Sequence, residues 1–141
     1  MDRTNIKKKR TFPGRYESLE KIRDFVVQAA STAGLNEKAA YEVELAVDEA
    51  CCNIIDHAYG GEDKGEIECC TEVESDGLQI TLKDHGSPFD PKQVTDPQLN
   101  VPLGKLKTRG VGLFLMRKMM NEVRYQTNKI GGNIMTLVKK K

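Results

Sequence analysis

The stretch from Glu42 to Tyr59, EVELAVDEACCNIIDHAY, constrains this chain more than any other. Val43, Ala46, Val47, Ala50, Ile54 and Ala58 recur at i, i+3, i+4 and i+7, the period of a helix with one buried stripe. A long stripe of this kind needs a second layer to cover it. Glu49 and Asn53 lie four apart beside it, so their side chains stack on one face, and Asp56 and His57 continue that edge a turn later. Burying a carboxylate, an amide and an imidazole next to a core costs free energy unless each finds a partner. The alternative is a solvated helix face, and this helix alone leaves both readings open.

The flanking sequence supplies the second layer. Residues 1–10 read as a flexible basic tail, and Arg10 to Arg15 as a short edge strand broken by Pro13-Gly14. Ser18 is placed to cap a first helix that runs to about Ala33 with Leu19, Ile22, Phe25, Val26 and Ala29 or Ala30 inward, and Gly34 stops it. Asn36 caps the long second helix, which Gly60-Gly61 ends near Tyr59. Strands follow at 66–73 and 78–83, alternating Ile67, Cys69, Thr71, Val73 and Leu78, Ile80, Leu82 inward, with a two-residue hairpin turn at Asp76-Gly77. From Pro88 to Arg109 there is no period and four prolines, the pattern of a functional lid or a disordered segment. Gly110 to Gly112 opens a third helix whose apolar face is Leu113, Met116, Met119 and Met120, and strands near 122–127 and 133–138 join at Gly131-Gly132. The expected fold is α/β (α+β), a two-layer sandwich of a mostly antiparallel sheet and three helices, in one domain over 1–141.

Charge and cysteine content narrow the classes. The net charge is +1, so no global field favours nucleic acid or a membrane surface, and Lys7-Lys8-Lys9-Arg10 and Lys139-Lys140-Lys141 read as solvated runs. There is neither a signal-peptide pattern nor an apolar run approaching the roughly 18 residues of a membrane span. The expectation is a soluble cytoplasmic protein. Cys51-Cys52 and Cys69-Cys70 are adjacent rather than C-x-x-C pairs, which suits reduced thiols, one of each pair in the core, better than zinc.

Two further boxes bear on chemistry. Asp84-His85-Gly86-Ser87-Pro88-Phe89-Asp90 follows a strand, and Gly110-Val111-Gly112-Leu113 precedes a helix. The first alone is compatible with an ordinary strand-ending turn. The second places bare amides at a helix start, an anion site for which triphosphate is the natural ligand, although capping turns use glycine too. Lys105, Lys107 and Arg109 stand just before it. No P-loop and no eukaryotic-type kinase motif is present.

Taken in order with the Glu49 to Tyr59 segment, these boxes resemble the nucleotide boxes of the Bergerat-fold ATPases, and within them the small anti-sigma-factor serine kinases, the RsbW-like proteins. The resemblance covers about residues 10 to 139. It implies ATP with magnesium. Asp84 is then the adenine-specifying carboxylate, Gly86 lets the backbone approach the base, and Gly110 and Gly112 hold the triphosphate. Lys105 and Arg109 are the basic residues of a lid over 90–109. Asn53 holds the metal, Glu49 is the general base, and His57 either orients the site or is structural. Pro88 stands where the family often has a second glycine, as in a variant of the anti-sigma branch. The implied function is a protein serine/threonine kinase acting as an anti-sigma factor. Its implied partners are a sigma factor, a STAS-type anti-anti-sigma protein that it phosphorylates, and a second copy in a homodimer. The alternative is a non-catalytic ATP-gated binding module. A sensor histidine kinase fits less well, because His57 and His85 both lie within the boxes.

Overall fold

Alternation along the chain becomes two faces of a sheet. In the computed structural model, which describes residues 6–88, 116–128 and 132–141, β2 (Glu66–Glu74) and β3 (Gly77–Asp84) pair antiparallel. They bury Ile67, Cys69, Thr71, Val73, Leu78, Ile80 and Leu82 on one face. β4 (Glu122–Asn128) and β5 (Gly132–Lys140) complete the sheet with β1 (Ile6–Pro13), in the order β1-β2-β3-β5-β4 with every pairing antiparallel. Helices α1 (Ser18–Thr32) and α2 (Glu37–Asn53) cover the apolar face. Ile22, Val26, Ala30, Val43, Ala46, Val47 and Ala50 meet the strand residues in one core. Residues 116–119 are helical, with Met116 and Met120 buried in the same core.

Four local expectations are corrected. Residues 6–10 belong to the sheet and not to a tail. They carry no apolar alternation and pair antiparallel with β2, where Lys7 sits across from Glu72 with Nζ 3.9 Å from its carboxylate. The Arg10 guanidinium lies 4.9 Å from the Phe12 ring centroid. Ser18 is buried as the first residue of α1, and the preceding Glu17 makes no side-chain cap. The hairpin turns at Ser75-Asp76, since Glu74 pairs with Gly77. A Cβ at Gly77 would stand 2.2 Å from the Lys139 carbonyl oxygen, so glycine is set by the neighbouring strand. Finally, the long helix changes form at Asn53, continuing as a π-helical turn over Ile54–Ala58 in which the Tyr59 amide donates to Ile54 at 2.9 Å.

The Asn36 side chain caps α2 as expected, accepting from the Ala39 amide at 2.8 Å. The cysteines divide as expected. Cys51 and Cys69 are buried, Cys52 and Cys70 half-buried, and all four are free.

Candidate functional site

The C-terminal end of β3 meets the end of the helix that follows α2. Asp84 is 3 % exposed and Asn133, its pairing partner on β5, is 2 % exposed. Two buried polar side chains in one register row demand a shared solution. Asn133 Nδ2 donates to Asp84 Oδ1 at 2.8 Å and reaches the carbonyls of Gly86 at 3.0 Å and Ser87 at 3.3 Å. The Gly86 amide donates to the same Asp84 Oδ1 at 2.9 Å. Among the described residues both bonds converge on Oδ1.

The loop is held from its other side by the helix end. The Ser87 amide donates to the Ala58 carbonyl at 2.7 Å. A Cβ on Gly86 would stand 2.4 Å from that carbonyl oxygen. The close approach that Gly86 permits here is therefore to the protein's own helix end. The Tyr59 hydroxyl accepts from the His85 amide at 3.0 Å and donates to the Glu66 carbonyl at 2.5 Å. Gly65 makes room for that ring, since a Cβ there would fall 2.3 Å from Tyr59 Cε1. Burial, ahead of the neighbouring charges, pushes the Tyr59 hydroxyl above its ordinary pKa.

Glu49 and Asn53 occupy a different environment. Both are half-buried on α2. Burial first, and the adjacent Asp48 carboxylate second, raise the Glu49 pKa above the ordinary carboxylate value. Asp48 itself is held by Arg23 of α1, whose Nη1 lies 2.7 Å from Oδ1. That bond raises the Arg23 pKa further. Asn53 Nδ2 is buried and meets no hydrogen-bond partner among the described residues. A buried orphan amide is costly. The same group turned by 180° presents its oxygen, a hard ligand of the kind magnesium prefers.

The π-helical turn explains why this edge does not continue. Its wider spiral buries Ile54, Ile55 and Ala58 together and leaves Asp56 and His57 exposed. The Tyr16 hydroxyl donates to Asp56. His57 thus stands outside the bonded group of Asp84, Gly86, Asn133, Ala58 and Tyr59. Lys105, Lys107, Arg109, Gly110 and Gly112, with the lid expected over 90–109, lie outside the described residues. Asn133 and the double role of the Tyr59 hydroxyl were missed in the sequence. The only signal was an asparagine, disfavoured in strands, directly after a glycine.

Comparison with known proteins now has a geometry to refer to. A family model described as a histidine kinase-like ATPase domain matches residues 12–139. A Bacillus velezensis protein named serine-protein kinase RsbW is 35% identical over 103 residues, 70% of this chain and 64% of that protein. A Bacillus pumilus protein of the same name is 34% identical over 122 residues, 82% of this chain and 75% of that one. The chain spans 63% of the length of a Listeria monocytogenes protein of that name, at 34% identity. A crystal structure of the RsbU and RsbW domains of a Mycobacterium tuberculosis protein superposes with TM-score 0.68 over 96% of this chain and 32% of that one, at 16% identity, which speaks to the fold. With the Asp84–Gly86 loop locked to the helix end and the Glu49/Asn53 pair on α2, the chain belongs to the histidine kinase-like ATPase domain family, in its RsbW-like branch.

Proposed function

We propose that this protein is an ATP-dependent protein serine/threonine kinase that works as an anti-sigma factor. The observation that carries the reading is the contrast within α2, where a half-buried, raised-pKa carboxylate stands one turn from an unpartnered amide. Asp84 Oδ2 accepts the adenine amine, with Asn133 and the Gly86 amide fixing the carboxylate by its other oxygen. Asn53 offers one amide oxygen to magnesium. Among the described residues no group of three His, Cys, Asp or Glu side chains gathers to hold a metal alone, so the fit is to a cation that brings phosphate and water ligands with it. Magnesium, when bound with the nucleotide, neutralises charge on the phosphate oxygens. Gly110, Gly112, Lys105 and Arg109 are assigned to the triphosphate by resemblance.

Glu49 acts on the incoming hydroxyl. The acceptor oxygen forms a bond to the γ-phosphorus, the bond from that phosphorus to the β-γ bridging oxygen breaks, ADP leaves, and the hydroxyl proton passes to the Glu49 carboxylate. A base whose pKa is lifted toward neutrality transfers protons better than an ordinary surface carboxylate. The acceptor is a Ser or Thr of a STAS-type anti-anti-sigma protein, a sigma factor is the sequestered partner, and the protein works as a homodimer. The names of the RsbW relatives support the serine-kinase chemistry.

The test is phosphotransfer from γ-labelled ATP with magnesium into a native cell extract, comparing wild type with Glu49→Gln. A small protein labelled on Ser or Thr by wild type alone supports the reading. Confirmed Mg-ATP binding without any labelling overturns it in favour of an ATP-gated binding module.

A further inference from the structure

Tyr41, Leu45, Glu49 and Asn53 form a single i, i+4 row on α2, whose members stack along one ridge. Exposure falls along that row. Tyr41 is 59% exposed and Leu45 38%, the two exposed large apolar side chains of this helix. Glu49 is half-buried, and the Asn53 amide nitrogen is fully buried. At about 1.5 Å per residue, Tyr41 lies roughly 12 Å along the axis from Glu49 and Leu45 roughly 6 Å. The Tyr41–Leu45 pair, which follows the exposed Glu37 on the same row, therefore leads directly to the Glu49 carboxylate.

Three carboxylates flanking this ridge are engaged inside the protein, while Glu37 and Lys38 stand exposed one turn before Tyr41. Glu42 binds Lys139 of β5 at 3.0 Å, and Lys139 also donates to the Met119 carbonyl. On the other flank, Arg23 of α1 binds Asp48 at 2.7 Å and stands 3.8 Å from Glu44. With Glu42, Glu44 and Asp48 paired, the middle of the ridge presents an aromatic ring and a leucine to solvent. Exposed tyrosines that become buried supply much of the energy of protein–protein contacts. The fold itself gains nothing from keeping these two side chains exposed.

We propose that the Tyr41–Leu45 ridge is the docking surface for the phosphoacceptor protein, positioning its hydroxyl at Glu49. This rests on the kinase reading above. The occupant follows from continuity: a protein seated on this ridge covers the one row of α2 that ends in the reacting group. A partner with an apolar patch beside its acceptor Ser or Thr fits the ridge.

The test uses the acceptor identified by its label in the wild-type reaction and then purified in its unphosphorylated form. Transfer from Mg-ATP is measured against acceptor concentration for wild type, Tyr41→Ala/Leu45→Ala and the conservative Tyr41→Phe/Leu45→Met. The alanine pair is expected to raise KM for the acceptor at least tenfold, with kcat and ATP affinity within twofold of wild type. The conservative pair is expected to restore KM to within threefold. Unchanged KM in the alanine pair, while wild type transfers normally, overturns the docking surface alone. Loss of self-association by sedimentation with unchanged KM assigns the ridge to a second copy and overturns it equally. Absence of transfer by wild type overturns the kinase reading, and the docking surface with it.

Discussion

The β3 end and the middle of α2 treat buried polar groups in opposite ways. At the β3 end, Asp84, Gly86, Ser87 and Asn133 are tied by bonds of 2.7 to 3.3 Å to one another and to Ala58. On α2, Glu49 is held at a raised pKa and Asn53 carries an orphan amide. A region that recognises a rigid base profits from being assembled in advance, because little order remains to be imposed on binding. A region that handles charge in a reaction profits from unsatisfied groups that are completed only by the ligand and the transition state. The first region is held by the fold, and the second is held against its own local preference.

The largest expected effect breaks the comparison at its chemical end. Glu49→Gln keeps shape and removes the carboxylate proposed as the base, so phosphotransfer is expected to fall by about 10²–10⁴, while ATP affinity measured by calorimetry stays within twofold. Removing the base also relieves a cost. The raised pKa of Glu49 means that its stabilising contribution is present below the unfolded-state pKa and is lost as pH rises through the folded-state pKa. Glu49→Gln is therefore more stable than wild type at neutral pH, as thermal unfolding will report.

Paired alanine variants sharpen the contrast. Asn133→Ala leaves the carbonyls of Gly86 and Ser87 and one bond of Asp84 unsatisfied. It should cost about 1–3 kcal/mol of unfolding free energy and weaken ATP binding. Asn53→Ala removes an amide that has no partner. Its unfolding free energy should stay within about 0.5 kcal/mol of wild type or rise, while transfer falls more than tenfold. Equal destabilisation by both variants would erase the distinction between the two regions. Next in size is Tyr59→Phe. It deletes the hydroxyl that accepts from His85 and donates to Glu66, and should cost about 1 kcal/mol by denaturant titration with a modest loss of ATP affinity.

The smallest effect is on the pH profile. As the proposed base Glu49 must be ionised to accept a proton, so kcat is expected to rise with pH through its folded-state pKa. The acid limb is expected above the position an ordinary glutamate would give it. Asp48→Asn removes the charge that contributes to that shift and moves the limb to lower pH. A limb that stays in place assigns it to another group.

Much of this architecture was legible because it rests on period. The stripes of α1 and α2 and the alternation of β2 and β3 follow from side-chain geometry on helix and strand. Asp84, Glu49 and Asn53 were legible as residue types at the ends or edges of those periodic elements. What was illegible involved neighbours distant in sequence. β1 pairs with β2 along residues 66–73, although residues 6–10 show no apolar alternation of their own. The π-helical turn after Asn53 buries two adjacent isoleucines, an arrangement no single helical period predicts. It separates His57 from the edge that Glu49 and Asn53 begin.

The sequence by itself determined the layers and the candidate carriers of chemistry, since hydrophobic period and glycine placement act over a few residues. Only the tertiary structure decided how those carriers are held. Asn133 lies 49 positions from Asp84 along the chain and Ser87 closes on Ala58, contacts that exist because β3, β5 and the helix end converge. Whether a buried polar group is satisfied or orphaned depends on which distant group arrives beside it, and no local pattern encodes that.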